Sequence, residues 1–245
     1  MAFTNCYDDT TRAEAYASLE FANTYYLAFR DLPAIFSEHV SGKRALDFGC
    51  GTGRSTRFLR RLGFQVIGVD IAPKMIAKAR ELDKVGDYRV VENDDLSALQ
   101  AAAFDLVLSA FTFDNIPGWQ TKVRLFGNLG ALLDTRGKVV NIVSTPEIYV
   151  HEWASFSTKD YPENLKAETG DVVRIITTEF ADRRPAEDVL WTHEAYDKVY
   201  SQAGLEIVAH YKPLATGKEP YHWVNETVIA PWAIYVLGIS PPSAE

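Results

Sequence analysis

The chain has 245 residues, of which 47% are hydrophobic, and its formal net charge is −8 at pH 7. This length suits one α/β domain with an ample buried core, so we expect a single domain over 1–245. A phosphate backbone is bound mainly through Lys and Arg, so the acidic balance argues against a nucleic-acid partner. The cysteines, Cys6 and Cys50, are too few for a disulfide framework, which favours a reducing, cytoplasmic location.

The sequence carries no predicted membrane or export signal. The N-terminal stretch is acidic and lacks the apolar core of a signal peptide. The longest apolar run, 228–239, contains Pro231 and is too short to span a bilayer. We therefore expect no membrane partner, and only residues 240–245 look like a loose tail.

Two helices are predicted ahead of the first strand. Thr11 and Glu14 form a capping box that predicts a helix through about Phe29, with apolar residues on one face. Pro33 then begins a shorter helix that ends near Gly42. The chain therefore reaches its first strand only after about 40 residues of predicted helix.

A glycine-rich segment follows the first strand, with the sequence Asp47-Phe48-Gly49-Cys50-Gly51-Thr52-Gly53. Glycines have no Cβ, so backbone N–H groups can approach a ligand closely, and the helical pattern of 54–62 directs a helix N-terminus at it. The next strand, 65–70, ends in Asp70, about 20 residues after the glycines, where an acid binds ribose hydroxyls. Together these features predict a site for an adenosine-containing ligand.

The glycine spacing separates two classes of such ligands. A dinucleotide fingerprint, G-x-G-x-x-G, needs a glycine where this chain has Arg54 or Thr56, depending on the register. The carboxylate of Asp47 would face a pyrophosphate unfavourably, whereas it suits a ligand that carries an ammonium group. The segment 47–53 resembles motif I of the class I S-adenosylmethionine-dependent methyltransferases.

This resemblance implies the Rossmann-like methyltransferase fold, a doubly wound α/β architecture with a seven-stranded, mostly parallel sheet. It implies S-adenosyl-L-methionine as the cofactor and S-adenosyl-L-homocysteine as the product. In this family the motif I acid and the glycine loop hold the methionine part, and the acid that ends the second strand binds the ribose. Those roles would fall to Asp47 and Asp70.

The helices before motif I resemble the helical cap of small-molecule methyltransferases, which places a cap over 1–42. Aromatic and basic groups of such caps close over the cofactor, so Tyr26 and Arg30 are candidates, and Arg30 could meet the methionine carboxylate. Tyr26 is preferred to Tyr25 because it shares the apolar face of the helix. The structural alternative is a tyrosine stripe packed on the sheet and a solvated arginine.

The adenine side of the site is predicted from the segment after the second strand. Ala72-Pro73 begins a helix there, and Ile71 and Met75 are placed to line the adenine. The third strand is predicted at 88–92, beside the second in the sheet.

A turn at 93–99 resembles the acid-x-x-x-Leu turn of the family, whose acid bonds the adenine amino group. Asp95 with Leu99 fits best, Asp94 is the alternative, and Leu96 lies in the same turn. A simple helix cap by either aspartate is the structural alternative.

The fourth strand, 104–109, should end beside the reactive methyl group, because a doubly wound sheet binds ligands at the carboxyl ends of its strands. Ser109 and Phe111 therefore join the predicted site. The segment 110–117 lacks the Asn/Asp-Pro-Pro-Tyr/Phe motif of enzymes that methylate amino groups of DNA bases, which disfavours a base or amide acceptor. A helix at 118–133 and a fifth strand at 138–144 complete a predicted cofactor-binding core over 43–145.

Roughly 45 residues separate the fifth strand from the helix that begins near Thr192, too many for a plain connection. We predict an inserted substrate lid over 146–191. Its aromatic residues indicate an apolar pocket that excludes water from methyl transfer. Its strands are predicted at 172–179 and 189–191, and a C-terminal unit over 192–239 contains a helix at 194–203 and strands at 205–211 and 227–237.

Candidate catalytic residues are chosen by residue type. The sulfonium already activates the methyl group, so a base is needed mainly for a hydroxyl or a protonated amine. His151 is preferred, because its unperturbed pKa is about 6.5, and Glu152, Asp114 and His222 are the alternatives. No His/Cys cluster has metal-ligand spacing, so no metal is expected.

Three classes of function remain open at this point. The leading one is methyl transfer to O, N or C of a small aromatic or amphipathic metabolite, by a monomer or homodimer. The alternatives are a protein or nucleic-acid methyltransferase and a regulatory protein that binds the cofactor without catalysis. The predicted cofactor-binding residues are Tyr26, Arg30, Asp47, Gly49, Cys50, Gly51, Gly53, Asp70, Ile71, Met75, Asp94, Asp95, Leu96, Ser109 and Phe111.

Overall fold

The computed structural model describes Glu14, Ala17 and residues 21–92, 95–99, 103–179 and 182–241. Its strands are β1 (Arg44–Phe48), β2 (Gln65–Asp70), β3 (Asp87–Val90), β4 (Phe104–Ala110), β5 (Leu133–Ser144), β6 (Phe156–Ser157), β7 (Val172–Thr177), β8 (Ala186–Val189), β9 (Leu205–Tyr211) and β10 (Trp232–Ile239). Its helices are α1 (Thr24–Arg30), α2 (Leu32–His39), α3 (Arg54–Arg61), α4 (Pro73–Leu82), α5 (Trp119–Leu132) and α6 (His193–Gln202). Short 3-10 turns lie at Thr112–Asn115, Pro146–Tyr149 and Pro162–Lys166.

Seven strands form the main sheet in the order β3-β2-β1-β4-β5-β10-β9. The strands β1 to β5 pair in parallel, and β10 pairs antiparallel with both β5 and β9. The predicted seven-stranded, mostly parallel, doubly wound sheet is therefore confirmed. Because β2 and β4 lie on opposite sides of β1, the sheet has a switch point there, and a crevice opens at the carboxyl ends of β1 and β4.

The central strands are largely apolar, as expected for parallel strands whose two faces are both covered by helices. In β1, Leu46 is fully buried and pairs with Ile67 of β2 and Val107 of β4. The side chains of β4 are almost all buried, including Leu106 and Leu108. This rigid centre fixes the position of the loop that follows β1.

The helical segment before β1 differs from its prediction. Thr11, where the first helix was expected to begin, lies outside the described residues. Glu14 and Ala17 are helical, within the predicted span, but Asn23 has a φ of 49°, which a continuous helix does not allow, so α1 begins as a separate helix at Thr24. The short helix predicted from Pro33 is α2, which ends at His39 because Val40 is extended.

The insertion (residues 146–191) forms a small antiparallel sheet in the order β6-β7-β8. Its strand β8 ends at Val189, three residues before Thr192, whereas a strand was predicted at 189–191. The difference arises from the pairing with β7, which matches Val172 to Val189 and Ile175 to Ala186. The insertion shares one hydrophobic cluster with α1, β4 and β10.

The remaining boundaries differ by a few residues. The strand β5 begins at Leu133 rather than at 138, because Leu133 already pairs with Phe104. The last strand begins at Trp232 rather than at 227, directly after Pro231, which has no N–H to donate. In the part of the chain that the structure describes, no helix is both long and apolar enough to span a membrane.

Candidate active site

The loop after β1 is held in a left-handed backbone by its glycines. Gly49, Gly51 and Gly53 have φ values of 73°, 53° and 82°. A Cβ on Gly49 would lie 2.1 Å from Oγ1 of Thr112, and one on Gly53 would lie 2.6 Å from the hydroxyl of Tyr88. Glycine is therefore required at both positions for steric as well as conformational reasons.

A cavity of about 370 Å³ opens beside this loop, at the carboxyl ends of β1, β2 and β4. Its walls combine backbone of the glycine loop with apolar side chains, as in sites that bind a nucleoside. We call it the cofactor cavity. Of the predicted cofactor-binding residues, it is lined by Gly49, Cys50, Gly51, Asp70, Ile71, Met75 and Phe111.

Asp70 stands where the sequence placed it, at the end of β2 and on the wall of this cavity. Its Oδ2 accepts a hydrogen bond from N of Gly51 at 2.9 Å, and its Oδ1 accepts one from N of Ala72 at 2.8 Å. The carboxylate thus joins the glycine loop to the start of α4. Contact with a ribose stays a prediction.

Asp47 lies beneath the loop rather than on the cavity wall. It is fully buried, and its Oδ2 accepts hydrogen bonds from Oγ of Ser55 at 2.7 Å and Oγ1 of Thr56 at 2.6 Å. Burial raises the pKa of this carboxyl to about 6. Its Oδ1 has no hydrogen-bond partner among the described residues, so the predicted contact with an ammonium group depends on that oxygen.

Arg30 does not reach the cofactor cavity. Its guanidinium forms ion pairs with Asp31 at 2.8 Å and Glu219 at 3.2 Å, and it donates a hydrogen bond to O of Leu214. Arg54 lies on the cavity wall instead, with its guanidinium 4.7 Å from the ring centre of Tyr25. The structure thus places a different arginine where Arg30 was expected.

Neither Tyr26, which was preferred from the sequence, nor Tyr25 lines the cofactor cavity. Tyr26 packs on Tyr221, with ring centres 5.4 Å apart, and lines neither the cofactor cavity nor the second cavity that is described below. Tyr25 is 6% exposed and packs against Phe111 and Trp232. Neighbouring helical residues point about 100° apart, so only one of the two tyrosines can face the site.

The remaining predicted cofactor-binding residues that the structure describes lie off the wall of the cofactor cavity. Oδ1 of Asp95 accepts a hydrogen bond from N of Ser97 at 2.8 Å, which closes a turn and does not cap a helix in the described residues. Leu96 and Ser109 are buried behind the wall. Gly53 shapes the loop without lining the cavity, and Asp94 lies outside the described residues.

A second cavity, of about 70 Å³, adjoins the first between the main sheet and the insertion. The two cavities share Arg54, Phe111 and Asn115 on their walls. Phe111 has a φ of 65°, which is rare outside glycine and turns its ring toward both spaces. We call this space the acceptor cavity; its aromatic walls are Tyr25, Phe111, Phe156 and Trp232, and its polar walls include Asp114, Asn115, Ser144, Thr177 and Asp188.

Asp114, one of the alternative candidates for the catalytic base, lines the acceptor cavity. Its carboxylate is 5% exposed and accepts hydrogen bonds from N of Ser144 at 3.1 Å and from Oγ of Ser144 at 2.9 Å. Burial, and then the charge of Asp188, raise the pKa of Asp114. A carboxyl with a raised pKa is a better proton acceptor than an ordinary aspartate.

The other predicted catalytic residues lie elsewhere. His151 packs edge-on against Trp153 with ring centres 6.3 Å apart, and it lines neither cavity. Oε1 of Glu152 accepts hydrogen bonds from N of Thr158 at 2.6 Å and N of Lys159 at 2.9 Å, so this carboxylate closes a turn. His222 is exposed on a loop. The preference for His151 as the base is therefore not supported by this geometry.

Sequence reasoning missed Asp188 and Arg54. Asp188 occupies an inward position of β8, where buried and exposed residues alternate and Glu187 points outward. A carboxylate at a buried strand position would have indicated a functional residue. The strand was predicted to begin at 189 instead of 186, so Asp188 fell outside it. Among the described residues, no group of three or more His, Cys, Asp or Glu side chains is arranged to hold a metal ion.

Comparisons with known proteins agree with this geometry. Residues 46–140 match the family described as Methyltransferase domain. The ubiquinone biosynthesis O-methyltransferase of Nitrosococcus oceani is 30% identical over 183 residues, which cover 71% of this chain and 70% of that protein. The protein of the same name from Xanthomonas axonopodis pv. citri is 37% identical over 93 residues, or 36% of this chain and 39% of that protein.

Solved structures share the fold over nearly the whole chain. The CcbJ methyltransferase from Streptomyces caelestis superimposes with a TM-score of 0.66 at 15% identity, covering 96% of this chain and 98% of that one. An S-adenosylmethionine-dependent methyltransferase from Clostridium acetobutylicum gives 0.64 at 13% identity, covering 97% and 100%. At such identities the likeness shows the fold alone.

Proposed function

This chain belongs to the class I S-adenosylmethionine-dependent methyltransferases, and on that premise we propose that it methylates a small, ring-bearing molecule bound in the acceptor cavity. S-adenosylmethionine is the cofactor. When bound, it supplies a methyl group that its positively charged sulfur activates for transfer. The single observation that carries the proposal is the pair of adjoining cavities, which share Phe111 and Asn115 on their walls.

The cofactor cavity fits this cofactor. A cradle of backbone with no Cβ at Gly49 and Gly51 suits the close approach of a ligand, and Asp70 closes one side. We assign the ribose to Asp70 and the adenine to the apolar side chains Ile71 and Met75. We assign the methionine carboxylate to Arg54, because its guanidinium lies on the same wall.

The acceptor cavity favours a ring-bearing molecule. Tyr25, Phe156 and Trp232 pack around it with ring centres 5.1 to 5.9 Å apart, which leaves aromatic edges and faces for an acceptor ring. The relatives named O-methyltransferase favour an oxygen as the methyl acceptor. The insertion covers one side of this small space, which favours holding the acceptor in place beside the cofactor.

The alternatives have less support. A protein or nucleic-acid acceptor needs an open groove, whereas the acceptor cavity lies between the sheet and the insertion. A nucleic acid would also meet a chain with a net charge of −8. A regulatory protein without activity would not need buried carboxylates in the acceptor cavity.

The test is to incubate the purified protein with methyl-tritiated S-adenosylmethionine and, separately, with a small-molecule extract, total RNA and total protein. We expect label in the small-molecule fraction, in the methyl ether of a ring-bearing compound. The matched control replaces Phe156 by Leu, which alters the acceptor cavity alone and should lower labelling while S-adenosylhomocysteine binds normally. Label confined to RNA or protein would contradict the proposal.

A further inference from the structure

Two buried carboxylates line the acceptor cavity from different parts of the chain. Asp114 belongs to the 3-10 turn after β4, and Asp188 belongs to β8 of the insertion. They are only 5% and 8% exposed. Asn115, between them and the cofactor cavity, lines both spaces. An acceptor that enters the cavity therefore meets both carboxylates close to the cofactor.

Hydrogen bonds orient each carboxylate. Ser144 donates to Asp114 through its N and its Oγ, at 3.1 and 2.9 Å. The hydroxyl of Tyr149 donates to Oδ2 of Asp188 at 3.0 Å, and Nδ2 of Asn115 donates to its Oδ1 at 3.2 Å. These bonds come from the main sheet and the insertion, so both carboxyl groups are positioned before any ligand binds.

Charged and titratable groups face the two carboxylates from several elements. Lys122 of α5 is fully buried, its Nζ donates to O of Phe113, and it lies 4.8 Å from the ring centre of Trp191. Tyr196 of α6 is buried and interacts electrostatically with both carboxylates. Arg54 of α3 lines the cavity from the opposite side, over the ring of Tyr25.

This environment disfavours two negative charges. Burial lowers the pKa of Lys122, which weakens it as a counter-ion. Burial and repulsion from Asp188 raise the pKa of Asp114. Two like-charged carboxyl groups on one cavity influence each other's titration, and Asp114 accepts a proton more readily than an ordinary aspartate once it is ionised.

We propose that Asp114 and Asp188 act as one carboxyl pair that takes up the proton of the acceptor's hydroxyl group during methyl transfer. This inference rests on the proposed function, which supplies the acceptor. The acceptor oxygen forms a bond to the methyl carbon while the carbon–sulfur bond breaks and sulfur keeps the electron pair. The hydroxyl proton passes to the pair and is lost to solvent after the product leaves.

A hydroxyl suits this pair better than an amine does. A phenolic hydroxyl has a pKa of about 10, so a carboxyl with a raised pKa is better matched to it than an ordinary aspartate at about 3.9. An ammonium group, in contrast, would be stabilised in its protonated form by the same charges and would not attack the methyl carbon. The pair therefore favours an oxygen acceptor.

The first experiment observes the carboxyl groups without turnover. The protein is labelled with ¹³C at the aspartate side-chain carboxyl carbons, bound to S-adenosylhomocysteine and titrated by NMR. We expect one resonance to titrate far above the ordinary aspartate range and to disappear in Asp114→Asn. In Asp188→Asn, the Asp114 resonance should titrate at lower pH because its like-charged neighbour is gone. Glu187→Gln, on the outward side of the same strand, should leave the titration unchanged.

The second experiment measures initial rates with the small-molecule fraction that the wild-type protein labels and with catechol as a defined probe. Asp114→Asn and Asp188→Asn should each lower kcat about 100-fold, the usual contribution of a general base, with S-adenosylhomocysteine affinity unchanged within about twofold. Tyr149→Phe removes a hydrogen bond to Asp188, which should raise the pKa of the pair and move the rise in rate to higher pH. Glu187→Gln should retain the wild-type rate.

Three results would overturn the inference. The first is titration of both carboxyl groups in the ordinary aspartate range. The second is a wild-type rate and pH profile in Asp188→Asn, and the third is a methylated nitrogen in the product. If the wild-type protein labels no small molecule, the proposed function fails, and the NMR titration still decides whether Asp188 raises the pKa of Asp114.

Discussion

The cofactor cavity and the acceptor cavity adjoin each other but are built in different ways. The cofactor cavity combines backbone of the glycine loop after β1 with apolar side chains and the single acid Asp70 at the end of β2. The acceptor cavity is formed by side chains from α1, α3, β5 to β8, β10 and the turn after β4. The conformation of one loop therefore shapes the first cavity, whereas the second depends on tertiary packing between distant elements. The first can be disrupted by one added methyl group, whereas the second should tolerate change in its lining without loss of cofactor binding.

The largest effect should come from the loop. Gly49→Ala places a Cβ 2.1 Å from Oγ1 of Thr112 at a φ of 73°, so we expect the free energy of unfolding to fall by about 3 kcal/mol or more. Gly51→Ala is the matched control, because its φ is 53° but no heavy atom lies within 4 Å of the added Cβ. It should cost only about 1 kcal/mol. Urea unfolding of both variants measures the difference, and equal losses would show that conformation alone decides.

A smaller effect is expected at Asp70, which belongs to the cofactor cavity alone. Asp70→Ala should weaken S-adenosylhomocysteine binding by about 2 kcal/mol, because ribose hydroxyls would lose a buried acceptor. It should also lower the stability of the free protein by about 1 kcal/mol, since N of Gly51 and N of Ala72 lose their acceptor. Calorimetry and thermal unfolding separate the two effects. Unchanged affinity with lowered stability would make Asp70 a structural residue only.

The two arginines allow a paired comparison. Arg54→Gln should weaken S-adenosylhomocysteine binding by about 1.5 kcal/mol, the value of a hydrogen bond to a charged group. Arg30→Gln should leave the affinity within about 0.5 kcal/mol, because its partners are Asp31 and Glu219. Calorimetry of both variants under one buffer condition is the measurement. The reverse order of effects would restore the role that the sequence predicted for Arg30.

The smallest effect lies outside both cavities and bears on pH profiles. His210 stacks on Tyr235 with ring centres 4.4 Å apart, and burial lowers its pKa to about 4. Its unfolded pKa is about 6.5, so the unfolded chain binds more protons between these values, and stability should fall as pH drops from about 6.5 to about 4. For a half-buried ring we expect about 1 kcal/mol after solvent screening. His210→Phe keeps the stacking and should remove this pH dependence of urea unfolding; an unchanged slope would locate the titration elsewhere.

The sequence was sufficient for the cofactor half of the molecule because its signals are contiguous. A short, largely apolar run such as 104–110 is typical of a strand that helices cover on both faces. Gly49 and Gly53 are required by the backbone conformation of a single loop. The family resemblance then predicted the seven-stranded, mostly parallel sheet. The fold and the cofactor were predicted for these reasons.

The acceptor half could not be predicted to the same level, because small angular and register differences decide it. Tyr25 and Tyr26 are adjacent in sequence, yet the helix directs only Tyr25 to the cavity. Asp188 becomes an inward residue only through the pairing of β8 with β7, which the sequence pattern placed too late. His151 was preferred as the base because of its residue type alone, but its side chain lines neither cavity.

Phe111 combines a strained backbone conformation with a position on the wall of both cavities. A left-handed backbone at a non-glycine residue costs about 1 kcal/mol, and Phe111 holds that conformation between the two cavities. Phe111→Gly would relieve that strain, but it would remove a ring that packs on Tyr25 and Trp232, and the loss of such packing costs more than about 1 kcal/mol. Stabilising libraries for this enzyme should therefore keep that position fixed, since glycine there would lose both the packing and the ring that separates cofactor from acceptor.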